Sequence, residues 1–310
     1  MPKPTILRAA ELPAENVAEL AAHFHLLDLP DDPAGARAFL AAHGAGVRGL
    51  ALRKTRVDAD FLAALPALEI ISSYSAGLDN LDVAAARARG IRIATTSQVL
   101  AGDVANLALG LALAVTRQIP QADAFLRAGE WRGGAEFPLT RSLGRMRVGV
   151  VGLGTIGLCL ADRLVALGAR VAYCGPRPKP VAHDYIPDVA GLAAACDMLV
   201  VACPLTPDTH HLIDAAVLAR LGPEGYLVNI SRGAVVDEAA LVAALAQGGI
   251  AGAALDVFER EPEVPAALIA DRRLVLTPHV GSATHDTRAA MADHVVDALI
   301  RHFGLAGPRG

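Results

Sequence analysis

The sequence predicts an α/β protein made of two parallel-sheet domains, one inserted into the other. Three observations carry this. Strand-like apolar runs alternate with helical patterns along nearly the whole chain, as they do where helices connect and cover parallel strands, and there are enough of them for two sheets. The length, 310 residues, suits about two domains. Finally, the glycine pattern Gly152-x-Gly154-x-x-Gly157, which normally opens its domain, lies almost halfway along the chain, so another domain starts before it.

Taken in order, Met1-Pro-Lys-Pro runs straight into a strand-like Thr5–Leu7, without the charged, apolar and small-residue sequence of an export signal. Val47–Leu52, Leu68–Ser73 and Ile91–Ala94 read as strands, with helical Asp58–Leu65 and Asp82–Arg89 between them. Long helical patterns at Asp103–Arg117 and Thr284–Phe303 fall near the two joins. They place a first domain at 1–98 with 285–310 and an inserted one at 99–284. Gly129–Leu143, with Trp131 and Pro138, is the clearest long loop. Arg147–Val151 is an apolar strand leading into the glycines. Leu158, Leu160, Ala161, Leu164, Val165 and Leu167 then recur at helical spacing until Gly168, and Arg170–Cys174 is the next strand. Met198–Cys203, Tyr226–Ile230, Gly252–Val257 and Leu274–Leu276 are further strands, with helices at Ala215–Leu221 and Glu238–Gln247.

Strand, glycine turn, helix, strand is the context in which G-x-G-x-x-G binds a dinucleotide. The first glycine permits the turn, the second lets backbone approach a pyrophosphate, and the third lets helix and strand pack closely. The helix start offers free N–H groups and a positive dipole end to the phosphates. The predicted fold is therefore two Rossmann-like domains, a cofactor domain inserted into a substrate domain.

Composition narrows the partners. A formal charge of −4 without a basic block argues against nucleic acid. The longest apolar run, Leu107–Val115, is too short to span a bilayer, so no membrane partner is expected. Cys159, Cys174, Cys196 and Cys203 form no C-x-x-C pair and lie in apolar patterns, which reads as reduced, buried thiols, no metal site and a cytoplasmic protein.

Three polar stations end apolar strands: Val228-Asn-Ile-Ser-Arg232-Gly-Ala-Val-Val-Asp237, Ala253-Ala-Leu-Asp256-Val-Phe-Glu-Arg-Glu261-Pro262 and Leu276-Thr-Pro-His279-Val-Gly-Ser-Ala-Thr284. Ligands of open α/β sheets bind beyond the carboxyl ends of strands, so all three should face one cleft. Arg, Glu and His together suit reduction of a 2-keto acid. A guanidinium forks onto a carboxylate, and a histidine titrating near neutrality gives a proton to the carbonyl oxygen. A neighbouring carboxylate favours the imidazolium. The plainer readings are an ion pair for Arg232 and a loop charge for Glu261, in a segment that also holds Glu259 and Glu263. His210, His211, His285 and His294 read as solvated or capping, and Asp237 and Thr284 as helix caps.

These ordered motifs resemble those of the D-isomer-specific 2-hydroxyacid dehydrogenase family over nearly the whole chain: the glycine motif, N-x-x-R-G, D-V-F-x-x-E-P and P-H-x-G-x-A/S. The resemblance implies that Arg232 binds substrate, Glu261 pairs with the catalytic histidine and His279 is the acid/base. It also implies that Ser75, Ala76 and Gly77, in Ser73-Tyr-Ser-Ala-Gly-Leu-Asp-Asn80, grip the substrate carboxylate together with Arg232 and His279. The implied cofactor site comprises Gly152, Gly154, Thr155, Ile156, Gly157, Cys174, Gly175, Arg177, Lys179, Cys203, Pro204, Thr209, Ile230, Ser231, Arg232, Asp256, His279 and Gly281, with Asp256 on the nicotinamide carboxamide. Gly133–Leu139 and Leu78–Asn80 resemble the loops of glyoxylate and hydroxypyruvate reductases. A homodimer built through the cofactor domain is implied as well, with the arm around Trp131 reaching the partner. The small and apolar residues on nearly every side of Val104–Val115 agree with it. Transcriptional corepressors share the family fold, so a dinucleotide-sensing regulatory protein stays open as the alternative.

Three positions depart from the family pattern: Thr155, Asn106 and Arg53-Lys54 stand where Arg, an acid and Arg-Gly are common. The cofactor preference follows from the second strand of the inserted domain. NAD enzymes of this architecture carry Asp or Glu there for the ribose hydroxyls. Here Tyr173-Cys-Gly-Pro-Arg177-Pro-Lys179 has no carboxylate, and Arg177 and Lys179 are cations for a 2′-phosphate. NADPH is the expected cofactor, with NAD second.

Overall fold

The structure is a computed structural model and describes residues 2–305. It divides into two compact units, residues 2–100 with 283–305, and Ala101–Ser282.

The first unit opens β1 (Thr5–Ala9), α1 (Ala14–His23), β2 (His25–Asp28), α2 (Pro33–His43), β3 (Val47–Leu52), α3 (Ala59–Ala63), β4 (Ile70–Ser73), α4 (Val83–Ala88) and β5 (Arg92–Thr95). Its sheet is wholly parallel in the order β2-β1-β3-β4-β5. Its inner strands β3 and β4 are largely buried, as in a sheet covered on both faces, whereas the edge strands β2 and β5 are half-buried to exposed. Leu7, Leu50, Leu52, Val57, Leu62, Leu65 and Ile71 form the core on one side.

α5 (Ser97–Arg117) and α6 (Ile119–Arg127) lead into the second unit. α5 starts six residues before the predicted Asp103 because Gly102, Asp103 and Asn106, which interrupt the apolar run, are themselves helical. By length and composition it could cross a membrane, a test Leu107–Val115 alone did not pass. Half of its most apolar window is buried in the protein, including Ala105, Ala108, Leu111 and Ala112.

Next come β6 (Arg147–Val151), α7 (Thr155–Ala166), β7 (Arg170–Cys174), β8 (Asp184–Tyr185), α8 (Val189–Ala195), β9 (Met198–Val201), α9 (Ala215–Leu221), β10 (Tyr226–Asn229), α10 (Glu238–Ala246), β11 (Gly252–Leu255), α11 (Ala266–Ala270) and β12 (Leu274–Leu276). The sheet is again parallel, in the order β12-β11-β10-β9-β6-β7-β8. Strand order reverses between β6 and β9, the switch point where such sheets open a crevice beyond their strand ends. α12 (His285–His302) returns to the first unit and packs on β4, β5 and α1.

Short acids punctuate the helices. Asp58, Asp82, Asp188, Asp214 and Asp237 each accept the N–H three residues on, at 2.7–3.0 Å, satisfying a donor with no intrahelical acceptor. Thr284 does the same for α12, at 3.2 Å to Thr287 N.

Candidate active site

The glycine turn is built as its sequence requires. Gly152 has φ 92°, and a Cβ there would lie 2.6 Å from Cys203 N and Cα. A Cβ on Gly157 would lie 2.3 Å from Gly152 O, so the start of α7 sits directly on the turn. Gly154 faces open space, with no atom within 4 Å of an added Cβ, just before the unpaired N–H groups of α7. Thr155 and Ile156 open that helix, half-buried.

At the end of β7, Gly175 is also open, and Tyr185 OH donates to its carbonyl at 3.0 Å. Arg177 is exposed. Lys179 is drawn back to the glycine turn: Nζ donates to Leu153 O at 2.5 Å, and its backbone N donates to Tyr173 Oη at 2.6 Å. Space beside two glycines, a helix start and two cations fits a dinucleotide bearing an extra phosphate.

The cysteines nearby are packing groups. Burial pushes the Cys203 thiol up to about 11 and the Cys196 thiol to about 12, which keeps both protonated. Cys174 is buried and raised for the same reason, whereas Cys159, expected to be buried, is half-exposed on α7.

The three polar stations leave neighbouring strands β10, β11 and β12. After β10, Asn229 ties the turn that presents Arg232. Its Oδ1 accepts from Ser231 N at 3.0 Å and Ser231 Oγ at 2.9 Å, and its Nδ2 donates to Arg232 O at 3.0 Å. Ile230 and Ser231 are buried beneath, and Arg232 Nη1 donates to Ser231 O at 2.7 Å.

After β12, His279 holds φ 53°, a left-handed conformation that non-glycine residues seldom adopt. Its Nδ1 lies 2.7 Å from Glu261 Oε2, and Glu261 Oε1 accepts from Phe258 N at 3.1 Å. The carboxylate thus fixes the ring and engages Nδ1, leaving Nε2 for a substrate oxygen.

Asp256 is engaged inside its own turn. It is 1% exposed, and its carboxylate accepts from Thr277 Oγ1 at 2.6 Å, Val280 N at 2.9 Å and Gly281 N at 2.9 Å. It holds the turn that carries His279. Thr209 is likewise engaged within its own loop, accepting from Thr206 N and donating to Pro204 O, both at 2.7 Å, with Pro204 exposed.

In the first unit, Ser75 Oγ donates to Gly77 O at 2.6 Å and meets Ser73 Oγ at 2.9 Å. The half-buried amides of Ala76 and Gly77 donate to no group among the described residues, the condition a carboxylate receptor requires. Asn80 Nδ2 anchors the loop to Arg53 O and Thr55 O at 3.0 and 2.7 Å.

The variant position Asn106 has a partner: its Oδ1 accepts from Arg163 Nε at 2.9 Å, joining α5 to α7. His211, expected to be solvated or capping, instead sets Nε2 2.8 Å from Glu259 Oε1. Thr277, Glu238 and Glu259 also do more than their sequence positions suggested. The single visible signal is that Thr277 and Glu259 lie inside two of the polar stations.

Comparison with known proteins gives the family. Residues 109–281 match the family model described as D-isomer specific 2-hydroxyacid dehydrogenase, NAD binding domain. A hydroxyphenylpyruvate reductase of Plectranthus scutellarioides is 46% identical over 92% of this chain and 91% of its own. A glyoxylate/hydroxypyruvate reductase A of Arabidopsis thaliana is 48% identical over 79% of each chain. The NADPH-dependent glyoxylate/hydroxypyruvate reductase of Sinorhizobium meliloti, solved with NADP and malonate, superposes with a TM-score of 0.87 at 41% identity, covering 97% of this chain and 94% of that one. The protein belongs to the D-isomer specific 2-hydroxyacid dehydrogenase family and is an NAD(P)-dependent oxidoreductase.

Proposed function

We propose that the protein reduces small 2-keto acids, glyoxylate and hydroxypyruvate foremost, to 2-hydroxy acids with NADPH. The observation that carries this is the His279–Glu261 pair at 2.7 Å, with Arg232 presented two strands away in the same sheet. The names of its relatives support the substrate class, and none of those reported above is a regulator, so the corepressor alternative is not favoured.

The bound nicotinamide supplies the hydride. Arg232 forks onto the substrate carboxylate and stabilises charge gathering on the carbonyl oxygen. His279 Nε2 gives its proton to that oxygen, and Glu261 stabilises the imidazolium before transfer. Within the first unit, the free amides of Ala76 and Gly77 can take a carboxylate, and Ser75 orders their loop. On the cofactor side, the α7 start would receive the pyrophosphate, and Arg177 and Lys179 would hold the 2′-phosphate. Asp256, with three internal bonds accepted, would have one lone pair left for the carboxamide.

The working form is a homodimer in the cytoplasm. α6 buries none of its residues, and Ile119, Leu126, Trp131 and Leu139 are 52, 57, 69 and 102% exposed, an apolar display that a partner would cover. A steady-state survey of glyoxylate, hydroxypyruvate, hydroxyphenylpyruvate and 2-ketogluconate with both reduced nicotinamides tests the reading. Best kcat/KM for glyoxylate or hydroxypyruvate with NADPH is expected. Absence of turnover on every keto acid would restore the regulatory alternative.

A further inference from the structure

Arg232 and the Glu261–His279 pair leave β10, β11 and β12 separately, yet reduction requires them in one fixed arrangement. The structure shows where the first two segments are fastened. A Cβ on Gly233, next to Arg232, would lie 1.8 Å from Phe258 C and 2.2 Å from Glu259 N, so the backbones after β10 and β11 touch. Only glycine allows that approach.

Beside this seam is a two-way clamp. Glu238 N, at the start of α10, donates to Glu259 Oε1 at 3.2 Å. Glu259 N donates back to Glu238 Oε1 at 2.8 Å. Each carboxylate thereby satisfies the other residue's backbone. Glu259 also completes the helix start, where an N–H without an intrahelical acceptor and the dipole both favour a carboxylate.

The third member is His211. Its Nε2 lies 2.8 Å from the same Glu259 Oε1, and its Nδ1 lies 3.9 Å from Asp237 Oδ2. It holds φ 51°, its backbone N donates to Ala234 O at 2.8 Å, and the His210 ring stacks on it at 4.1 Å. His211 thus reaches Glu259 from a segment already paired with residues 234–237 through the Ile213–Val236 bridge. A left-handed non-glycine backbone, a stacked ring and a shared carboxylate oxygen are more than a solvated surface histidine needs.

We infer that Glu238, Glu259 and His211 are positioning residues that fix Arg232 relative to Glu261 and His279 by clamping the two loops at the Gly233 seam. They act through the backbone: Glu259 lies two residues before Glu261, and Glu238 lies six after Arg232. The clamp explains a second acid in the Asp256–Pro262 segment beside the one that pairs with His279.

The kinetic arm rests on the keto-acid reductase reading, so it is joined to one that does not. Glu259→Ala, Glu259→Gln and His211→Ala are compared with the unmodified protein in NADPH-dependent glyoxylate reduction, including the isotope effect from 4-deuterated NADPH. Backbone hydrogen exchange is followed in parallel. Glu259→Ala should lower kcat on the order of 10-fold, since misplacement by about 1 Å can cost up to about 10²-fold. The KM for NADPH should hold while the isotope effect rises. Exchange should accelerate in residues 230–233 and 257–262 and stay unchanged in β6 and β7. Glu259→Gln, whose carbonyl oxygen can accept both bonds, should recover most of the rate. Should Glu259→Ala not fold, the half-exposed His211 decides, with the same pattern at smaller amplitude. Unchanged kcat and local exchange in the folded variants would overturn the inference. So would a loss spread evenly over exchange, stability and cofactor binding. Absence of turnover in the unmodified protein would instead refute the reductase reading, leaving the exchange arm to judge the clamp.

Discussion

Replacing Asp256 with Asn tests how the histidine is held. An Asn can keep its carbonyl oxygen where Oδ1 now accepts from Thr277 Oγ1 and Val280 N, but its amide then confronts Gly281 N, now 2.9 Å from Oδ2. One buried donor is left facing another, which costs about 1–3 kcal/mol, and the two surviving bonds lose their ionic acceptor. The sum is about 2–4 kcal/mol. For a unit spanning Ala101–Ser282, that corresponds to a melting point lower by roughly 4–16 °C. Activity should suffer separately. The left-handed backbone of His279 stores about 1–3 kcal/mol and persists because this turn enforces it, so loosening the turn misplaces the ring and lowers kcat by about 10–100-fold. Thermal melts and steady-state rates with saturating NADPH check both. A variant with unchanged melting and turnover would show that the carboxylate does not hold the turn.

Arg177→Ala should weaken NADPH and leave NADH nearly unchanged in kcat/KM; an equal loss with both would remove Arg177 from the 2′-phosphate site. Arg232→Ala should raise the keto-acid KM and lower kcat together, because one guanidinium serves ground-state carboxylate and developing oxyanion; a change in KM alone would deny the second role. Burial, reinforced by the charges of Glu259 and Glu261, pushes the Glu238 carboxyl above its ordinary value of 4.5. The folded state therefore favours the protonated form, and the stabilisation this brings below 4.5 is lost as pH rises through the raised value. Glu238→Gln should thus melt higher than the unmodified protein at neutral and alkaline pH, with the gap closing in acid; a gap that is constant with pH would contradict the assignment. Light scattering at micromolar concentration should give the mass of two chains, and Leu126→Asp with Leu139→Asp should halve it.

Strands were the most legible part of the fold, at a sheet edge as well as inside. β3, β6, β7 and β12 begin and end at their predicted residues, because each is a mostly apolar, mostly buried run closed by a turn. Residues 14–43 carried no comparable signal: α1 follows Pro13 without a side-chain cap, and both helices there are alanine-rich with few buried side chains. β8 is only two residues long and owes its existence to pairing with β7. In the site, Arg232, Glu261 and His279 stood out as polar residues ending apolar strands. What surrounds them did not. Asp256 finds its partners 21–25 residues away and Glu259 its partners 21 and 48 away, distances no local pattern encodes. The positive φ of His279 and His211 was equally hidden, since neither is the glycine that normally announces it.

The central claim is that His279, held by Glu261, delivers the proton as hydride reaches the keto carbon. Single-turnover oxidation of bound NADPH by glyoxylate, compared between the unmodified protein and His279→Gln, tests it most directly. With NADPH affinity unchanged, the rate should fall on the order of 10²–10⁴-fold. An undiminished rate in the variant would mean that another group is the acid.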